Sequence, residues 1–287
     1  MLPADYHIHT LASPDGKDTA DALAAAAAER GITEIALTDH CDCDAPPGDP
    51  WHYDFDASRR VFSAAKDTRG VTVKFGVELG QCDYNREFAD AVLANADYDF
   101  VIGSLHKLKG CPDFYYLDYQ NIDIDECLRQ HFDETERMCR TGDFEVLGHL
   151  TYPFRYAPAF GLSLSIEPYW QQVTNILKIL IDRGMGIEVN TGALFSDLGE
   201  TMPPEPVIRL YRELGGTVLT VGSDAHAAER VGEGFKQVCD MLSRIGFTHF
   251  TVFDRRTPRQ VPLPESVLKV KAGPSGKKDR KAGNYNG

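Results

Sequence analysis

The feature that most constrains this chain is a beat: seven short apolar runs, each followed by a segment of helical periodicity. The runs lie near Asp5–His9, Glu34–Thr38, Thr72–Val77, Phe100–Ile102, Glu145–Leu147, Gly186–Val189 and Thr217–Val221. The amphipathic segments lie near Asp18–Arg30, Asp56–Arg69, Tyr84–Asn95, Asp123–Arg140, Glu167–Arg183, Pro203–Leu214 and Gly232–Ile245. A helix between successive strands returns the chain to the same edge, so the strands must run parallel. Right-handed crossovers then either close the sheet into a barrel or wind it doubly. At 287 residues, 43% of them hydrophobic, the chain can bury one enzyme-sized core. No boundary interrupts residues 1–265, which are expected to form a single α/β domain. The closing stretch "KVKAGPSGKKDRKAGNYNG" has little to bury, and residues 266–287 are expected to be a disordered basic tail.

The residues at the end of each run narrow the chemistry. His7 and His9 come with the first, His40 after the second, Glu78 after the third, His106 after the fourth, His149 after the fifth, Asn190 after the sixth, and Asp224 and His226 after the seventh. Six of the nine histidines therefore stand at strand C-termini. In a barrel those ends converge on one mouth, where such folds keep their chemistry. His7 and His9, like Asp224 and His226, are spaced by two, so extended backbone points each pair to one side. A lone strand-end histidine is ordinarily a satisfied polar cap. The same placement at nearly every strand is the pattern of a metal cluster. His52, His131 and His249 lack it, although His52 is near enough to border the site. Cys41 and Cys43 have no second cysteine pair near them and read as reduced cysteines rather than zinc ligands.

Charge and cysteine usage exclude other classes. A net charge of -13 repels nucleic acid, no apolar run approaches the ~20 residues of a membrane span, and seven cysteines without framework spacing fit a reducing compartment. A soluble, cytoplasmic protein is the expectation, and its acidic surface still permits a small anionic substrate where the site itself is locally positive.

The motifs "DYHIHT", "ALTDH", "GVELG", "GSLH", "GHL" and "GSDAH", in this order over residues 5–226, resemble those of the polymerase-and-histidinol-phosphatase (PHP) superfamily. The resemblance implies a distorted (β/α)7 barrel with two or three metal ions at its C-terminal mouth. Carried over residue by residue, it assigns His7, His9, Glu78 and Asp224 to one metal. Glu78, His106 and His149 would hold a second, with Glu78 bridging. Asp15, His40 and His226 would hold a third; some relatives carry histidine where this chain has Asp15. Asp224 and His226 are expected to serve catalysis directly.

Six imidazoles and three carboxylates form a borderline donor set suited to zinc, manganese or iron. Metals of this kind lower the pKa of a shared water and neutralise phosphoryl oxygens, so hydroxide is the expected nucleophile and no serine or cysteine is required. Within the superfamily, "GHLTYPFRY" and "EVNTGALF" most resemble the histidinol-phosphate phosphatases of histidine biosynthesis. Arg155, six residues past His149, suits a phosphate oxyanion, and Lys107 and Asn190 are further candidates for substrate binding. The chain departs from those relatives at Phe195, where they often carry a basic residue. Three readings stay open: a histidinol-phosphate phosphatase, a phosphoesterase for another small phosphomonoester or nucleotide, and a non-catalytic metal-binding barrel.

Overall fold

The computed structural model describes residues 4–65 and 70–264, and the expected tail lies outside them. The strands β1 (Asp5–Ile8), β2 (Glu34–Leu37), β3 (His40–Asp42), β4 (Thr72–Gly80), β5 (Phe100–Ser104), β6 (Val146–Leu147), β7 (Gly186–Asn190) and β8 (Leu219–Gly222) form one sheet. Its path is β1-β2-β4-β5-β6-β7-β8, every pairing is parallel, and β3 prolongs the β2 direction against the far end of β4. Ile8 and Ala225 make a parallel bridge, and the His9 N–H donates to the Ala225 carbonyl at 2.9 Å. That contact brings the last strand to the first and nearly closes a seven-stranded barrel, as the alternating pattern predicts. Helices α1 (Ala20–Glu29), α2 (Phe55–Ala65), α3 (Arg86–Ala94), α4 (Ile124–Thr141), α5 (Trp170–Asp182) and α6 (Glu205–Glu213) lie in the crossovers, and α7 (Phe235–Ile245) follows β8.

Local chemistry sets the helix starts. Thr19, Asn85 and Asp123 each accept a hydrogen bond from the second or third backbone amide of the following helix, satisfying donors that have no partner within it. The central strands are buried on both faces, which explains why they read as continuous apolar runs rather than alternating ones.

Two features depart from the expected beat. The stretch Tyr152–Phe160 after β6 is a 3-10 helix. A hairpin of β9 (His249–Asp254) and β10 (Thr257–Pro262) comes after α7. The hairpin packs on the strand starts: Lys74 Nζ meets Asp254 at 2.7 Å, Arg256 Nε meets Glu145 at 2.7 Å, and the Phe253 N–H donates to Tyr6 Oη at 2.7 Å. The N-terminal end of the barrel is thereby sealed, and the opposite end carries the site.

Candidate metal centre

Glu78, buried inside β4, is the hub of the C-terminal mouth. Its Oε1 lies 2.9 Å from His149 Nε2, 3.1 Å from His106 Nε2 and 3.4 Å from His7 Nε2. Its Oε2 lies 2.7 Å from His40 Nδ1 and 3.7 Å from His9 Nε2. The two oxygens thus face different imidazole groups, the arrangement of a bridging carboxylate. Asp224 Oδ1 stands 3.3 Å from His9 Nε2 and 3.7 Å from His7 Nε2. Beside them a third group forms at the rim, with Asp15 at 3.0 Å from His226 Nε2 and 3.7 Å from His40 Nε2. All nine side chains assigned by resemblance lie at this mouth, but the three-donor clusters are not the expected groupings: they are His9, His40 and His226; His7, His9 and Asp224; His7, Glu78 and His149; and His40, Glu78 and His106. Asp15 is the most exposed of the nine.

The donor set fits divalent metal. His7 Nε2 and His9 Nε2 are buried with no hydrogen-bond partner among the described residues, and an unpartnered buried polar atom is costly unless something coordinates it. Four clusters of three donors have their ligand atoms within 4.8 Å of one another. Three of the outer nitrogens are tied down. His7 Nδ1 meets Glu188 Oε1 at 2.7 Å, His106 Nδ1 meets Asp42 at 3.1 Å, and His226 Nδ1 meets the Asp224 carbonyl at 2.9 Å. An acceptor at Nδ1 fixes the proton there and leaves the Nε2 lone pair facing inward. Burial opposes the charge on Glu78, yet His106, His7 and His40 outweigh it and hold the carboxyl well below its usual range. Burial, together with the neighbouring His40 and His226, keeps His9 neutral.

Glu188 lies outside the strand-end pattern, and it is the main support of the mouth. Besides His7 it accepts the His149 N–H at 2.8 Å and the Asn190 amide at 3.1 Å. Gly222 makes room for it, since a Cβ there would lie 2.1 Å from Glu188 Oε1 and 2.5 Å from His7 Cβ. An acid inside the apolar run "GIEVN" was the available signal, because a buried carboxylate needs donors. Asp39 supports the first loop likewise, accepting from the Thr10 N–H at 2.7 Å and Ser13 Oγ at 2.9 Å. Asp224 takes a left-handed backbone at φ 56°, an uncommon conformation outside glycine of the kind that gathers at functional sites.

A cavity of about 650 Å³ opens above the cluster. Arg155 lines it, with Nη1 3.4 Å from Asp224 Oδ2. Lys107 and Asn190 are placed otherwise than expected. The Lys107 ammonium pairs with Asp44 at 3.1 Å, while the Asn190 amide is engaged at both ends, by Glu188 and by the Gly192 N–H at 2.8 Å, so neither belongs to the cavity lining. His52 also stays outside, its Nδ1 2.9 Å from the Ala45 carbonyl. Lining residues that the strand-end pattern did not reveal include Lys17 and Trp51 on loops and Tyr152 and Arg230 in 3-10 helices. Cys41 and Cys43 are buried free thiols, Cys41 on β3 and Cys43 just after it.

The PHP domain pattern matches residues 5–192. The chain belongs to the PHP domain family. Among PHP relatives, a Clostridium acetobutylicum protein named "Probable histidinol-phosphatase" is 29% identical over 239 residues, covering 83% of this chain and 91% of that protein. A Lactococcus lactis protein named "Histidinol-phosphatase" is 26% identical, covering 88% and 95%. The crystal structure of histidinol phosphate phosphatase from Lactococcus lactis, complexed with zinc, L-histidinol and phosphate, superimposes with a TM-score of 0.76 at 23% identity over 89% of this chain and 98% of that one. At that identity the likeness shows the barrel fold. The PHP match ends before β8, so Asp224 and His226 are placed in the centre by the geometry above.

Proposed function

We propose that this PHP barrel is a metal-dependent phosphomonoesterase that hydrolyses L-histidinol phosphate to L-histidinol and inorganic phosphate. The observation that carries the reading is a bridging-type carboxylate ringed by imidazoles, with the Arg155 guanidinium, paired to Asp224, lining the same cavity. His7, His9, Glu78 and Asp224 would hold one divalent ion, Glu78, His106 and His149 a second, and Asp15, His40 and His226 a third. Zinc, manganese or iron bound there would acidify a coordinated water and neutralise phosphoryl charge. The protein's own groups do the rest. Arg155 binds and orients the phosphate through charge-assisted bonds, and its contact with Asp224 sets that phosphate beside the cluster. Glu188, Asp42 and Asp39 keep the imidazoles and loops aimed before substrate arrives. The names of the similar proteins favour histidinol phosphate over other small esters. Residues 1–265 act as one catalytic domain in this reading.

The test is phosphate release from a panel of phosphomonoesters by metal-replete protein. L-histidinol phosphate should give the highest kcat/KM. A different ester preferred by tenfold or more would overturn the substrate, and no release from any would overturn the activity.

A further inference from the structure

Among the described residues five large apolar side chains are exposed: Leu11, Tyr115, Tyr116, Trp170 and Phe195. Three of them, Tyr115, Tyr116 and Phe195, at 63%, 64% and 52% exposure, line the cavity above the cluster. Exposed rings gathered at one mouth mark a binding surface. They are also held in place. The Asp113 carboxylate accepts the Tyr115 N–H at 2.7 Å, and the Tyr115 ring meets Tyr116 and Tyr156 edge-on, with centroids at 4.9 and 5.6 Å. Tyr156 donates to Tyr152 at 2.6 Å, and the Tyr152 ring lies 4.8 Å from His149. An aromatic wall therefore runs from the cluster floor to the rim. On the other side Phe195 sits close over Gly234, where an added Cβ would come within 3.3 Å of the ring. Glu229, also on the rim, has no ion-pair partner among the described residues.

We propose that Tyr115, Tyr116 and Phe195 are the specificity-determining residues for the leaving group, selecting phosphomonoesters that carry a flat ring and an amine over aliphatic, ring-free ones. This rests on the phosphomonoesterase reading. Arg155 holds the phosphate at the floor, so the rest of the ester must extend along the aromatic wall to the rim. There the rings offer faces for stacking, and Glu229 offers charge to an ammonium.

The experiment compares kcat/KM for L-histidinol phosphate and glycerol 3-phosphate in metal-replete wild type, Phe195→Ala and the double variant Tyr115→Ala/Tyr116→Ala. All three side chains are exposed, so folding should survive. Wild type should prefer the ring-bearing ester, and each ring removed should lower the ratio by roughly 2- to 12-fold, chiefly through KM. A wild type that treats both esters alike, or a ratio within twofold of wild type in both variants, overturns the proposal. A wild type that hydrolyses neither ester overturns instead the phosphomonoesterase reading, and the proposal with it.

Discussion

Glu188 shows how much a single buried side chain can carry. Its two oxygens receive donors from His7, His149 and Asn190, on three strands or strand ends. Glu188→Gln has one acceptor oxygen for three donors and adds an amide that has no acceptor to meet. The expected outcome is a folded protein whose metal affinity falls by roughly 10- to 100-fold, read by metal titration. Unchanged affinity would reduce Glu188 to a packing role. Arg155 makes the contrasting case, because its guanidinium touches the cluster only through Asp224. Arg155→Ala should lower kcat/KM by about 1.5–3 kcal/mol, the worth of a charge-assisted bond, with metal content normal. Steady-state kinetics beside elemental analysis separate the two effects.

The strand–helix beat was legible at the level of elements because periodicity is a local property. The two histidines of "DYHIHT" share a face for the same reason, and both are buried in the cluster. Partnership is not local. Nothing near Lys107 announced that Asp44 would take its charge, and the partners of Asn190 depend on where Glu188 turns. The hairpin escapes a sequence reading because its contacts, Lys74 in β4 and Asp99 and Glu145 just before β5 and β6, lie far back in the chain. Helix α4 carries a further element-scale consequence. His131, which stands at no strand end, is buried there and bonds the Leu150 carbonyl at 2.9 Å through Nε2, steadying the turn after His149. Burial pushes its pKa down from 6.5 to about 4. The unfolded chain takes up that proton first, so this contribution is intact above about pH 6.5 and is lost as pH falls toward 4. His131→Gln keeps a donor and cannot titrate. Denaturant unfolding of metal-loaded protein should show the variant losing about 3 kcal/mol less than wild type between pH 6.5 and 4. Parallel pH profiles would contradict this.

The whole molecule is polar end to end. Arg256 and Lys74 pair with carboxylates to fasten the hairpin over the strand starts, whereas the strand ends present imidazoles and carboxylates to an open cavity. No helix among the described residues is long and apolar enough to cross a membrane. Structure and chemistry are thereby divided between opposite ends of one barrel, the usual partition in folds of this kind. The central claim is that the mouth is a metal centre. Elemental analysis of the purified protein after dialysis tests it most directly: the account predicts two to three zinc, manganese or iron ions per chain, and fewer than one, with no activity gained on adding these metals, would contradict it.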